Sequence, residues 1–474
     1  MNLSIFDGSL TGSTAVLLVV AMAIALGFEF VNGFHDTANA VATVIYTRSL
    51  SPRKAVVWSG LCNFLGVYLG GTAVAFSIVN LLPVDLLVTR DTGAGLAMVL
   101  ALLTAAIAWN LGTWLMAIPA SSSHTLIGAI LGVGLANASL EGQPLGSGVN
   151  WGKAGEVVLS LLISPVVGFV SAAALFLLMR KVFPDPKLYE PAPTDAPPPF
   201  WVRSTLVATS TGVSLAHGSN DGQKGIGLVM LILIGIVPTQ FALNPTHDPR
   251  EVARVLAADE TLLKVIERHI DHSEQLEIRK GLEEVRSMLE GKSRLSEVPP
   301  SQRWKLRARL ILLDKALERL EKSPPRTLTT DEAKAIKNAR AVLSGAVYYA
   351  PTWVLVAVAT SLGCGTMVGW KRIVTTVGEK IGKSHLSYAQ GAAAEIVAAT
   401  TIGLADYGGL PVSTTHVLSS GVAGTMVASG SGLQFQTVRA IALAWVLTLP
   451  VSMGLAAVLF YVFRALMAGG PSHP

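Results

Sequence analysis

A chain of 474 residues that is 51% hydrophobic and only 14% charged, with a mean hydropathy of +0.52, is excluded from the ordinary soluble classes and fits a polytopic helical membrane protein. The net charge of +5 excludes little, because the placement of Lys and Arg in loops sets orientation across a bilayer. Cys62 and Cys364 each stand alone in an apolar run, which rules against a disulfide framework or a thiolate zinc site.

Taken in chain order, apolar stretches near the roughly 20-residue length of a span fall at 13–46, 54–82, 93–118, 123–137, 153–180, 203–237, 341–369, 386–408, 414–429 and 437–467. The first lacks the basic front of a secretory signal and is expected to be a retained span. The 203–237 run is expected to break at His217-Gly218-Ser219-Asn220-Asp221-Gly222, and the short runs 123–137 and 414–429 each follow a proline-marked polar tip. Broken and half-length helices are tolerated at membrane depth only where protein or water satisfies the freed backbone, so they point to a binding site. The predicted organisation is a first transmembrane repeat over 1–183, a proline-rich linker over 184–202, the start of a second repeat over 203–244, a polar helical insert over 245–340, and the remainder of the second repeat over 341–474. The linker sequence PDPKLYEPAPTDAPPP reads as stiff and largely extended. The insert carries about 20 of the 36 basic residues and nearly as many acids, with Leu262, Ile266 and Ile270 at helical spacing. It reads as a small helical bundle, either a solvated appendage or a regulatory or partner-binding element.

Two polar motifs occur twice. Phe34-His35-Asp36-Thr37-Ala38-Asn39 is answered by Gly218-Ser219-Asn220-Asp221-Gly222-Gln223, and Pro119-Ala120-Ser121-Ser122-Ser123-His124 by Pro411-Val412-Ser413-Thr414-Thr415-His416. In the second pair, proline ends one segment and hydroxyls open the next. That places N-cap side chains and unpaired N–H groups at a helix start, where the helix dipole favours an oxyanion such as phosphate. A single copy reads equally as an N-cap. Doubling makes Ser121, Ser122, Ser123 and Thr125, with Ser413, Thr414 and Thr415, candidate substrate ligands on two convergent tips.

Asp36 and Asp221 form the other pair. A carboxylate at bilayer depth costs about 2.5–3.5 kcal/mol on insertion scales, so keeping one in each half argues for use. Each can bind a cation or metal, carry a proton, or accept from a protonated phosphate; a helix cap at headgroup level is the plainer alternative. Asn39, one turn after Asp36, offers an amide oxygen to the same ligand.

These residues resemble the inorganic phosphate transporter family, the Pit-type permeases, and within it the bacterial low-affinity branch, whose first signature reads NGFHDTANAVATVIYT as at Asn32 to Thr47. The likeness extends over nearly the whole chain outside the insert. It implies an all-α polytopic protein with inverted repeats, broken helices and two re-entrant helical hairpins. It further implies a bacterial inner-membrane symporter, usually dimeric, moving phosphate with sodium or protons, and in this branch neutral metal–phosphate complexes of ions such as magnesium, calcium or zinc. Position by position it marks Asp36, Asn39, Asn220, Asp221, the two tips, and Glu395, sixteen positions before Pro411. The sequence departs from the sodium-type Asn-Asp-x-x-Asn pattern. His35 precedes Asp36, Lys224 stands where the second asparagine belongs, and Asn63 is aligned with the first-half place of Glu395.

The expected function is therefore phosphate symport by alternating access, without tightly bound cofactor or nucleic-acid partner, and with arsenate as a mimic. Lys224 beside Asp221, with His35 beside Asp36, favours proton over sodium coupling, unless Lys224 merely snorkels to the interface. A sodium-coupled symporter and an uncoupled anion channel are the alternatives. A serine hydrolase is disfavoured because no nucleophile elbow occurs and an enzyme needs no second copy of its nucleophile. The basic clusters Arg48/Arg53/Lys54, Arg180/Lys181/Arg203 and Lys371/Arg372/Lys380/Lys383 fall on one side, expected to be cytoplasmic, which puts the insert outside.

Overall fold

Nearly every apolar stretch becomes a helix close to its expected limits in the structure, a computed structural model that describes residues 12–79, 81, 92–193, 196–250, 252, 268, 272–322 and 328–468. In chain order the main helices are α1 (Gly12–Tyr46), α2 (Pro52–Leu69), α3 (Ala73–Val79), α4 (Thr92–Leu115), α5 (Ser122–Leu140), α6 (Trp151–Val182), α7 (Phe200–Ile236), α8 (His272–Leu289), α9 (Pro300–Lys322), α10 (Thr330–Val347), α11 (Thr352–Thr366), α12 (Tyr388–Tyr407), α13 (Thr414–Ser429) and α14 (Phe435–Ala468). Among the described residues no β-strand occurs, and five helices are long and apolar enough to cross a membrane, or up to seven with bent pairs counted. α7 and α13, which carry motif residues, are not among the five: polar residues lower the hydropathy of α7, and α13, at 16 residues, is too short.

The chain forms two compact units. The larger holds residues 15–232 and 351–474 and is built by exchange between its halves. α1 crosses α11 where a Cβ on Gly33 would lie 2.3 Å from the Leu362 carbonyl and one on Gly365 2.1 Å from that of Phe30. α7 crosses α2 in the same way, with Gly218 against the Asn63 carbonyl (2.2 Å) and Gly66 against that of Leu215 (2.2 Å). Further on, Gly132 of α5 meets Met453 of α14, and Gly424 of α13 meets Phe169 of α6. Small residues let backbones touch where lipid supplies no hydrophobic drive between helices. Each half thus packs its motif helix and its hairpin on helices of the other. α6 and α14 also carry matching internal prolines, Pro165 and Pro450.

Two expectations are corrected here. α7 runs unbroken through His217–Gly222, because Gly218 and Gly222 serve close contact with α2 rather than ending the helix. The break falls instead between α2 and α3, bent by 77°. Gln223 of α7 satisfies it, accepting from the Val74 N–H (2.8 Å) and donating to the Gly70 carbonyl (2.8 Å). The linker is also less free than its prolines suggest. Leu188 is buried, and the Ala192 N–H donates to the Leu386 carbonyl at 3.3 Å.

The smaller unit comprises residues 233–350, with residues 12–14 of the described start of the chain. Its helices bury Leu282, Val285, Leu306, Leu310, Ile336 and Leu343. Leu262, Ile266 and Ile270 lie outside the described residues. Arg307 is buried and donates to the carbonyls of Ala242 (2.9 Å) and Val347 (2.6 Å), covering the end of α10 with a cation. Burial pulls its pKa down to about 10. Asp314 of α9 is also buried, and desolvation raises its pKa although Arg340 stands 3.2 Å away. α10 opens on a capping box between Thr329 and Glu332.

Candidate functional site

Both tips fold as N-caps with the same geometry. Ser121 (φ −103°, ψ 113°) accepts from the His124 N–H at 3.1 Å, and Ser413 (φ −93°, ψ 105°) from the His416 N–H at 3.1 Å. Each tip is the turn of a helical hairpin, α4–α5 and α12–α13. The tips are held in matching fashion: Trp445 of α14 donates to the Pro119 carbonyl (3.1 Å) and Ser160 of α6 to the Pro411 carbonyl (3.3 Å). They meet face to face, with the His124 and His416 rings 4.5 Å apart and His416 stacked on Trp445 at 4.0 Å. Ser123 of the first tip donates to the Val412 carbonyl of the second at 2.9 Å.

Asp36 closes this junction. Its Oδ2 accepts from Ser122 Oγ at 2.8 Å and its Oδ1 from Thr415 Oγ1 at 2.6 Å, so one carboxylate takes a hydroxyl from each tip. His35 bridges Asp36 Oδ1 (3.1 Å) and Thr113 Oγ1 (3.0 Å). From α7, Asp221 Oδ1 takes the Lys224 ammonium at 2.5 Å, and that ammonium also donates to Ser123 Oγ (2.5 Å) and the Val412 carbonyl (3.0 Å). Lys224 is only 2% exposed, which overturns the snorkelling alternative.

The predicted residues separate by what they touch. Ser121 and Ser413 cap their helices, Thr125 donates to the Ser121 carbonyl (2.9 Å), and Ser123 ties the tips together. Asn220 holds the second tip, donating to the Leu410 carbonyl (3.3 Å) and accepting from the Val412 N–H (3.5 Å). Thr414 is buried in the first turn of α13. The side chain of Asn39 lies outside the described residues. Glu395 is not drawn into the cluster; it is buried on α12 and accepts from Thr209 of α7 at 2.5 Å. Its supposed counterpart is also corrected. Asn63 lies on α2, whereas α12 matches α4, where sixteen positions before Pro119 stands Leu103.

Two residues outside the predicted set complete the site. His217 Nε2 lies 3.1 Å from Asp221 Oδ2 and 4.0 Å from Asp36 Oδ2, and His217, Asp36 and Asp221 each offer a ligand atom within 4.8 Å of the others. Its Nδ1 is 3.0 Å from Asn63 Oδ1. The tautomer follows from the chain of bonds. Thr366 gives its proton to the Leu362 carbonyl (2.9 Å), so it accepts from Asn63 Nδ2 (2.8 Å), so Asn63 Oδ1 accepts from His217 Nδ1–H. Nε2 then faces the two carboxylates, paired with Asp221 Oδ2 when it carries a proton, although among the described residues neither Nε2 nor Asp221 Oδ2 makes a hydrogen bond of regular geometry. With its proton displaced, the imidazole and the two carboxylates could together hold a metal ion. The signal in the sequence was the His217-x-x-x-Asp221 spacing, one helical turn once α7 is continuous.

Fold and site together define a multi-pass helical membrane protein whose two hairpin tips close on buried charge. Residues 32–456 match the phosphate transporter family, and the chain belongs to it. It is 43% identical over 485 positions to the low-affinity inorganic phosphate transporter PitB of Escherichia coli (strain K12), covering 95% of this chain and 97% of that protein. Low-affinity inorganic phosphate transporter PitA of the same strain is 42% identical over 488 positions with the same coverage. These relatives are named as transporters, not enzymes. A solved structure of a sodium-dependent phosphate transporter shares the fold, with a TM-score of 0.55 at 20% identity, over 95% of this chain and 100% of that one.

Proposed function

We propose that this protein is a secondary active symporter of the bacterial inner membrane that takes up inorganic phosphate, bare or as a neutral metal–hydrogenphosphate complex, coupled to protons by alternating access. The names of its relatives support the substrate. The observation that carries the reading is the grip of Ser122 and Thr415 on Asp36, which puts a carboxylate at the meeting of two helix starts. The N-terminal N–H groups and hydroxyls attract an oxyanion, but an ionised Asp36 repels it. Phosphate therefore enters with positive charge, either a coupled proton or a metal ion that Asp36, His217 and Asp221 could ligate. An imidazole among the donors suits zinc better than calcium or magnesium, which prefer oxygen alone. Arsenate, alike in shape and charge, is carried as a mimic, and the working assembly is a homodimer, as the family resemblance implies.

Sodium coupling is the weaker reading. A sodium site asks for neutral or anionic oxygens, whereas the Lys224 ammonium sits 2.5 Å from Asp221. Uptake of labelled phosphate into proteoliposomes, with proton, sodium and divalent-metal gradients varied separately, tests the proposal. Uptake driven by an acid exterior in sodium-free medium is expected. Uptake that requires sodium and ignores the pH gradient would remove proton coupling while leaving the substrate assignment standing.

A further inference from the structure

One ionisable group in the span of α1 takes no part in the cluster described above. Glu29 is 0% exposed, and among the described residues neither carboxylate oxygen makes a hydrogen bond of regular geometry, the Asn32 amide interacting with it only loosely. It fits a notch on α7 that only glycine leaves open, since a Cβ on Gly225 would lie 2.4 Å from Glu29 Cδ. Among the described residues no hydrogen bond or ion pair joins Glu29 to Asp36, His217 or Asp221. The charged groups around it are Asp221, Asp36 and Lys224, with the Asn32 amide one turn along. Two of those three charges are carboxylates. The third, the Lys224 ammonium, is taken up by Asp221, Ser123 and the Val412 carbonyl.

We infer that Glu29 is the group that binds and carries the coupled proton, held dry between α1 and the Gly225 notch of α7. An ionised carboxylate with no partner in a dry protein interior is far more costly than a neutral one. The closed arrangement is therefore reached with the proton on Glu29, and the carboxylate ionises once water reaches it. The proton comes from water on the acid side and returns to water on the other, one for each passage. Glu29 lies seven residues, or two turns, before Asp36, about 10 Å along the helix, so it acts through the packing of α1 on α7 and does not touch the anion. Coupling and substrate affinity are thereby separable. This inference rests on the proton-coupled reading given above.

Proteoliposomes holding the full-length protein test it through two readouts: phosphate exchange with equal phosphate on both sides, and acidification of the lumen followed by a trapped pH dye during phosphate entry. Glu29→Gln, neutral and of the same shape, is expected to keep exchange near the wild-type rate with unchanged KM, and to lose lumen acidification and the pH dependence of uptake. Glu29→Asp is expected to retain both. Glu29→Gln vesicles that still acidify in step with phosphate would transfer the proton to another group and leave proton coupling intact. Wild-type vesicles that do not acidify would sink the coupling and, with it, the role of Glu29. Loss of exchange in Glu29→Gln and Glu29→Asp alike would make Glu29 a packing residue.

Discussion

The Lys224 ammonium donates to Ser123 Oγ at 2.5 Å, so a cation from α7 is fastened to the first hairpin tip while it neutralises Asp221 on its own helix. With its third bond, to the Val412 carbonyl, it reaches the second tip as well. Lys224→Asn removes the charge and unfastens both tips. Accumulation driven by an acid exterior should fall at least tenfold, given about 1.5–3 kcal/mol for each charged hydrogen bond lost. Measuring accumulation against the size of the pH gradient checks this; an unchanged response would take Lys224 out of the coupling.

Donor loss at the tips should act on the substrate. Ser122→Val and Thr414→Val, with normal membrane insertion, should raise the apparent phosphate KM by roughly tenfold to a hundredfold or abolish uptake. Wild-type kinetics in both would remove the tips from the site.

Asn63 fixes the His217 ring without reaching the carboxylates. Asn63→Leu frees the ring to flip, and such outer partners are typically worth about 10–100-fold in metal affinity. Half-saturation by zinc of phosphate uptake should shift by that factor, with phosphate exchange in chelator close to normal. A zinc response identical to wild type would show that His217 is no ligand.

The acidity of Asp314 gives the polar insert a pH dependence of its own. Burial raises its folded pKa above the unfolded value, so the folded state holds more protons between the two and stability falls as pH rises through the folded pKa. Mild acidification should raise the protection of α9 beyond the general slowing of amide exchange at lower pH. Asp314→Asn should slow exchange at neutral pH and flatten the response, as hydrogen-exchange mass spectrometry of the intact protein would record.

Ser293 lies exposed in the insert and bonds Arg250 at 3.1 Å. The insert occupies the same place after α7 that the short Arg48–Lys54 turn occupies after α1, and if the halves are inverted, as the family resemblance implies, those places lie on opposite sides. Ser293→Cys, on a background lacking other thiols, should react with an impermeant maleimide from outside the cell. Labelling only from the cytoplasm would reverse the orientation.

The helices and both tips were legible because they rest on signals local to the chain: runs of apolar length, prolines at segment ends, and hydroxyls at N-cap positions. His217 escaped because the glycines around it read as helix breakers, whereas Gly218 is glycine so that α7 can touch the backbone of Asn63. That is a property of two helices together, and neither sequence stretch contains it. Lys224 was singled out for its charge, but its bonds to Ser123 and Val412 join residues 101 and 188 positions away, beyond any periodicity. Glu29 belongs to no repeated motif; what marks it is its two oxygens without regular hydrogen bonds and the Gly225 notch, both set by the packing of α1 on α7.

The exchange of helices between the halves bears on how the protein is made. α5 is lined with glycines that fit the backbone at Leu449 and Met453, residues synthesised more than three hundred positions later. Until the ribosome has delivered α14, the first hairpin sits in the membrane with its closest neighbour missing, exposing a serine-rich turn to lipid or to whatever shields it. The interval before that contact can form is set by translation of all the chain between α5 and α14, the insert included. Halves produced as two separate polypeptides should each be degraded alone and rescue one another when made together.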